Sequence, residues 1–305
     1  MSNYLETKFN DILFKNPVIP ASGTFGFGRE YEAFYDLAKL GGLCSKGLTL
    51  EPKSGNTGMR LWETPAGLMN SIGLENPGID AFIENEWPHL KEIDTVTIVN
   101  VGGKDEESYL TAIEKLNAID AQLIELNISC PNVKAGGMAY GIKAETAGEI
   151  TRKVVELSRH PIMVKLSPNG EAVADIARAC EAAGAQGISL INTLQGMAID
   201  YKKKAVVFDN LYAGLSGPAV KPIALRMTHQ VCQAVKIPVM AMGGISDWKD
   251  ALEFIMAGAT CIQIGTINFN NPMAPLEIID GLEAYCIHEG LANIGEVRGI
   301  VQFKI

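Results

Sequence analysis

The sequence contains no C-x-x-C pair, and its six cysteines (Cys44, Cys130, Cys180, Cys232, Cys261 and Cys286) stand far apart from one another. That pattern argues against a structural zinc site or an iron–sulfur cluster held by this chain by itself. A disulfide scaffold is not expected at this length, so the thiols point to a reducing, cytoplasmic setting. Basic charge is also short: 26 Lys and Arg stand against 35 Asp and Glu, a net charge of -9. Nucleic-acid binding depends on cations that neutralise phosphates, and this balance argues against it. No apolar run reaches the ~18 residues of a membrane span. The opening "MSNYLETKFN" has no apolar core of the signal-peptide kind. No G-x-G-x-x-G turn follows the first apolar segment, which weakens an open dinucleotide-binding sheet.

What is present is an alternation. Short apolar runs fall at 16–22, 41–47, 95–103, 122–129, 161–167, 187–193, 237–244 and 261–266. Between them lie amphipathic segments such as "EESYLTAIEKLNAI", "ETAGEITRKVVELSRH", "EAVADIARACEAAG", "PIALRMTHQVCQAV" and "DWKDALEFIMAG". Continuous apolar strands alternating with helices give a parallel sheet covered by helices. Eight such units in 305 residues predict a single α/β domain over 1–305, a (β/α)8 TIM barrel. Residues 4–15, "YLETKFNDILFK", read as an N-terminal hairpin with its turn at Asn10-Asp11, closing the barrel floor. Residues 48–80 and 194–217 read as long loops at the C-terminal face, where barrel active sites are built.

The strand tips are more polar than packing requires. They carry Ser45-Lys46, Asn100, Asn127 with Ser129 and Cys130, Lys165 and Asn192-Thr193. Two lysines and three asparagines converging on one mouth suit a ligand with carbonyls and negative charge, such as a flavin ring with a carboxylated substrate. A lysine inside the buried strand "IMVKLS" needs a partner. Cys130, read by its residue type, is as readily an inert small hydrophobe as a functional thiol. The turns "MGGIS" and "IGTINF" on the last two strands, with "LSGPAVKP" nearby, bare backbone N–H groups and read as a phosphate cradle.

The motifs "NSIGLENPG", "NISCPN", "INTLQGMAID", "GLSGPAVKPIAL" and "MGGI", in this order and spacing, resemble dihydroorotate dehydrogenase. The similarity covers about 250 residues, from "NPVIPASGTFGFG" to "IQIGT". "NTLQGMAID" is similar to the NAD-linked form (class 1B). The quinone-linked form carries an apolar N-terminal extension not seen here and a serine in place of Cys130. The resemblance implies one FMN across the barrel mouth, with phosphate on Gly217, Gly243, Gly244, Gly265 and Thr266. It puts the ring and ribityl chain against Ser22, Ser45, Lys46, Asn100, Asn127, Lys165 and Ile191. It implies dihydroorotate held by Lys46, by Asn70-Ser71-Ile72-Gly73-Leu74, and by Asn127, Asn192 and Thr193, with Cys130 as catalytic base on a mobile loop over about 130–141. Lys46 would pair with the substrate carboxylate, and Lys165 would steady negative charge on the reduced flavin.

It further implies a partner subunit carrying FAD and a [2Fe-2S] cluster, which passes electrons to NAD+, and a homodimer core within a heterotetramer. No metal site is expected in this chain. Three other readings have discriminators. A fumarate-linked soluble enzyme would work without a partner. A flavin-dependent tRNA dihydrouridine synthase would need a basic face. A catalytically dead barrel scaffold would be colourless. The stretch "YKKKAVVFDNLY" (201–212) reads as a solvated loop, and the tail "EVRGIVQFKI" receives no function.

Overall fold

The computed structural model describes residues 3–129 and 140–302. Eight parallel strands form one sheet: β1 (Val18–Pro20), β2 (Gly42–Cys44), β3 (Val96–Val101), β4 (Leu123–Asn127), β5 (Ile162–Lys165), β6 (Gly187–Leu190), β7 (Val239–Met242) and β8 (Cys261–Ile264). Their order is β1-β8-β7-β6-β5-β4-β3-β2, so each strand lies beside its neighbours in sequence. The two ends of that row, β1 and β2, meet, and the Gly41 N–H donates to the Val18 carbonyl at 3.2 Å. The sheet is a (β/α)8 barrel, with all eight expected strands in their expected places.

Helices α1 (Glu106–Leu116), α2 (Ala144–Leu157), α3 (Val173–Ala182), α4 (Lys221–Ala234), α5 (Trp248–Met256) and α6 (Ala274–Glu289) cover it. The starts follow local chemistry. Asp105 caps α1 by accepting from the Ser108 N–H at 2.9 Å, and Asp247 caps α5 by accepting from Lys249 and Asp250. Helix α6 lies outside the sequence-based expectations. Its apolar residues run round much of its circumference, which blurs the one-sided stripe that marks a covering helix. Its buried Ile278, Leu282 and Cys286 recur every four residues, and Gly281 admits the Trp248 ring.

The period of two along each strand sorts side chains between the helix layer and the barrel interior. On β4, Ile124 and Leu126 join the core under the helices, while Leu123 faces inward. The lowest interior layer is apolar: Ile19, Val96, Ile98, Leu123, Met163, Met240 and Cys261. Into it reach Phe9 and Phe14, both fully buried, from the antiparallel hairpin Thr7–Phe9 and Ile12–Phe14. Gly187 on β6 makes the space, since a Cβ there would lie 2.5 Å from the Phe9 ring. The hairpin, turning at Asn10-Asp11, therefore closes the floor as its sequence suggests. No helix among the described residues is long and apolar enough to cross a membrane.

The two long connections are not plain loops. Leu61–Thr64 and Gly67–Asn70 form a hairpin, and Gly67–Asn70 pairs with Ala213–Ser216, which pairs with Leu194–Gly196. Segments following β2 and β6 thus make one four-stranded antiparallel sheet over the C-terminal face. Each strand is only three or four residues long, and most of their residues are exposed or half-buried. That burial leaves no strong alternation in the sequence, and the stability comes from cross-pairing between distant segments.

Phe9→Ala is expected to cost about 3–5 kcal/mol in urea unfolding, the usual penalty for emptying a large aromatic site. A loss below about 1 kcal/mol would mean that the hairpin does not plug the floor.

Candidate active site

Above the apolar floor the interior becomes polar. Glu125 on β4, two residues after Leu123, is fully buried in the middle of the barrel. Its carboxylate accepts from Ser189 Oγ on β6 at 2.7 Å and from Gln263 Nε2 on β8 at 2.9 Å. It also accepts from Asn100 Nδ2 on β3 and from the Cys44 thiol on β2, the latter at 3.5 Å. Lys165 on β5 completes the shell, with its ammonium 3.3 Å from Glu125 Oε2 and only 4% of the residue exposed. Five strands therefore aim donors at one carboxylate contributed by a sixth. Burial pushes the Glu125 carboxyl up. The Lys165 ammonium and the hydrogen bonds from Ser189, Gln263 and Asn100 outweigh it and hold the group below its ordinary value. The Cys44 thiol, buried and facing that carboxylate, is pushed well up.

The network continues toward the mouth. An ionised carboxylate only accepts, so Asn100 turns its amide nitrogen to Glu125 and its oxygen outward. That oxygen accepts from Asn127 Nδ2 at 3.2 Å. Asn127 Oδ1 in turn accepts from Ser129 Oγ at 2.9 Å, and Ser129 Oγ accepts from Asn192 Nδ2 at 2.9 Å. Asn192 Oδ1 takes the Thr193 N–H at 2.8 Å. The strand register sets Asn127 beside Lys165. The structure thus brings together Asn100, Asn127, Lys165, Asn192 and Thr193, all expected at the site, and joins them in one chain of hydrogen bonds.

Lys46 stands just past β2, the strand next to the one that carries Asn100. Among the described residues no carboxylate lies within ion-pair distance of it. Burial pushes its pKa down from the ordinary 10.5, the Glu75 carboxylate raises it and the Arg60 guanidinium lowers it. Ser45 behind it is fully buried, and its hydroxyl accepts the Asn100 N–H at 3.1 Å. Gly47 brings three expected residues together: a Cβ there would lie 2.8 Å from Asn100 Oδ1, 3.5 Å from the Leu74 side chain and 3.7 Å from Ser22 Oγ. Leu74 ends the segment Asn70–Leu74, which leaves the lid sheet and crosses the mouth, with left-handed backbone at Gly73 (φ 79°) and Leu74 (φ 56°). Asn70 Nδ2 reaches the Gly214 carbonyl at 3.4 Å.

The third wall is made of glycines. Gly217, Gly243 and Gly244 have φ of 97°, 124° and 79°. A Cβ on Gly243 would strike Ala224 and Ile191, on Gly244 the Lys221 backbone, and on Gly217 the Gly67 Cα. Thr266 Oγ1 donates to Ser216 Oγ at 2.8 Å, which ties the β8 turn to the end of the lid sheet. Beside Gly265 a Cβ would meet nothing closer than 4.0 Å. The cradle is bare backbone where three turns converge.

Cys130 lies outside the described residues, as does most of the expected mobile loop. Two other expectations change. Residues 48–80 and 194–217 form the lid sheet rather than plain loops. The stretch 201–212 is exposed over most of its length, as a solvated loop would be, but Phe208 within it is buried with Met69 and Ala213. Sequence reasoning also passed over Glu125, Gln263 and Ser189. The signal was available for Glu125, a carboxylate inside the apolar run "QLIELNIS" facing the same interior as Asn127.

Glu125→Gln removes the counter-ion of a buried ammonium and should destabilise the fold by about 3–5 kcal/mol in denaturant titration. Glu125→Gln combined with Lys165→Met, which removes both charges, should recover most of that loss. Because the folded carboxyl is held below its ordinary value of 4.5, its contribution is present above that value and fades as pH falls through the folded one. An acid limb of stability that is the same in wild type and Glu125→Gln would contradict this.

The chain is similar to known proteins over nearly its whole length. A family model described as dihydroorotate dehydrogenase matches residues 4–286. A protein of Petrotoga mobilis named dihydroorotate dehydrogenase B (NAD(+)), catalytic subunit, is 53% identical over 97% of this chain and 100% of its own length. Proteins of the same name from Thermoanaerobacter pseudethanolicus and Parabacteroides distasonis are 49% and 48% identical, covering 97% and 98% of this chain and 98% and 99% of their own. Set beside the barrel, the asparagine chain and the glycine cradle, these matches show that the chain belongs to the dihydroorotate dehydrogenase family.

Proposed function

We propose that this chain oxidises (S)-dihydroorotate to orotate in pyrimidine biosynthesis. The observation that carries the reading is Lys46: a half-buried ammonium with no carboxylate at ion-pair distance among the described residues, flanked in sequence by Ser45 and Gly47, which both lie against Asn100. Such a cation suits a carboxylate ligand, and the amides suit the carbonyls and N–H groups of a pyrimidine ring. The residues fit a flavin mononucleotide as well. The cradle at Gly217, Gly243, Gly244, Gly265 and Thr266 has the bare backbone that a phosphate needs. To the ring and ribityl chain we assign Ser22, Ser45, Lys46, Asn100, Asn127, Lys165 and Ile191. Bound there, the flavin supplies a two-electron acceptor for the hydride leaving C6 of the substrate.

The chain's own residues supply the remainder. Lys46 pairs with the substrate carboxylate and, with Asn70-Ser71-Ile72-Gly73-Leu74, Asn127, Asn192 and Thr193, fixes the ring in one orientation. Cys130 takes the proton from C5, since hydride loss and proton loss must both occur to form the double bond. Lys165, held in place by its ion pair with Glu125, offers positive charge where negative charge develops on reduction. The relatives' printed names include NAD(+) and the words "catalytic subunit". We accordingly assign the onward electrons to NAD+ through a separate subunit bearing FAD and a [2Fe-2S] cluster. The assembly would be a heterotetramer built on a homodimer of this chain, in the cytoplasm. Fumarate as acceptor has no support in those names.

An anaerobic spectrum of the purified, FMN-loaded chain tests the reading: dihydroorotate should bleach the flavin band. A yellow protein that does not bleach would remove the substrate. In the same assay Cys130→Ser should retain flavin and slow its reduction by roughly 10²–10⁴-fold near neutral pH, the usual share of a general base. Unchanged kinetics would take Cys130 out of the mechanism. Lys46→Ala should weaken orotate binding by roughly 2–5 kcal/mol, the range for truncating one partner of a buried charge pair. In wild type, orotate affinity should decline as pH rises through the lowered value of Lys46, below 10.5, because the ammonium is then lost. An affinity that is flat across that range, or the same in Lys46→Ala, would count against the pairing.

A further inference from the structure

The inner half of the segment 201–212 has contacts that a solvated loop would not need. Phe208 is 1% exposed and packs on Met69 and Ala213 beneath the lid sheet. The Val207 N–H donates to the Ala198 carbonyl at 3.0 Å. Asp209 Oδ2 accepts from Thr57 Oγ1 at 2.7 Å, and Gly58 has no Cβ to keep that carboxylate away. Asn210 Nδ2 donates to Ser71 Oγ at 3.1 Å. This last bond reaches from the connection after β6 to the segment Asn70–Leu74 in the connection after β2.

Ser71 is held from a second side. Asn56 Nδ2 donates to the same hydroxyl oxygen at 3.0 Å and to the Ser71 carbonyl at 3.2 Å. The Asn56 N–H donates to the Ile72 carbonyl, and the Ser71 N–H to the Arg60 carbonyl, each at 2.9 Å. A hydroxyl oxygen has two lone pairs, and here two amides from separate segments take one each. Immediately after this anchor the backbone enters the left-handed region at Gly73 and Leu74. For leucine that conformation is unfavourable and persists only where the surroundings hold it.

We infer that Asn210 is a positioning residue for substrate: residues 207–210 form a strap that fixes Ser71 and so sets the backbone of Ile72, Gly73 and Leu74 for the ligand. The strap couples the two lid connections, so the segment over the mouth is placed by both. The inference deepens the dihydroorotate reading and rests on it for the identity of the ligand. Asn210 is joined to the segment that crosses the mouth through the hydroxyl of Ser71.

The test uses the full-length, FMN-loaded protein with Asn210→Ala and Asn210→Leu, the second keeping bulk without the donor. Orotate is titrated against the flavin spectrum, and hydrogen exchange is followed over residues 70–76 in the absence of orotate. The expected result is a 3- to 10-fold weaker orotate affinity, about the worth of one hydrogen bond, with flavin content unchanged and exchange at Ser71 faster. In turnover the loss should fall on KM rather than kcat, whereas a merely structural defect would show as lost flavin. Asp209→Ala, which frees Thr57, should move both readouts the same way. Orotate affinity and exchange both equal to wild type would overturn the strap. If wild type itself gives no orotate response, the substrate reading fails, and the exchange data still decide whether Asn210 holds the segment.

Discussion

One buried carboxylate organises the interior of this barrel. Glu125 accepts hydrogen bonds from residues on β2, β3, β6 and β8 and pairs with Lys165 on β5. A charge in that position is tolerable only because every approach to it is a donor or a cation. A neutral side chain could fill the space, but it would not dictate orientation. Since the carboxylate cannot donate, it forces Asn100, and through it Asn127 and Ser129, to present defined donors and acceptors at the mouth. The polarity of the functional layer is thus set one layer below it.

The mouth is closed by a different principle. The lid sheet unites two connections that are distant in sequence, and its strands are too short to stand without each other. Arg60 and Glu75 form an ion pair across the base of the hairpin, next to Lys46. Ser216 links the far end of the sheet to Thr266 at the glycine cradle. The lid therefore touches both the cation that suits a carboxylate and the turns that suit a phosphate. Rigid barrel tips supply the chemistry, and cross-braced connections supply the enclosure.

The eight strands, the floor hairpin and the alternation with helices were legible because period and composition are local signals. So were Lys46, Lys165 and the asparagines, which interrupt apolar strands. The lid sheet was not, because its pairing is between residues 61–70 and 194–216, and neither partner has a distinctive pattern. Helix α6 escaped because its apolar residues are spread around its surface. Glu125 was visible as a residue but not as a hub. Its five partners come from five strands, and only closure of the barrel brings them within reach. The strap at 207–210 was hidden for the same reason: its meaning lies in Ser71, more than a hundred positions earlier.

The cysteines show how the same residue type is separated by environment. A thiol serves as a base only to the extent that it can lose or share its proton, and burial without positive charge opposes this. Cys180 and Cys232 are both pushed up to about 12 by burial. Cys44, Cys261 and Cys286 are raised by burial too. Cys44 is the described thiol nearest the polar interior, yet it faces a carboxylate, which disfavours a second negative charge. Cys261 belongs to the apolar floor. The five described thiols are thus poorly suited on physical grounds to the proton abstraction proposed for Cys130, because each is held toward its neutral form by the burial that makes it part of the core.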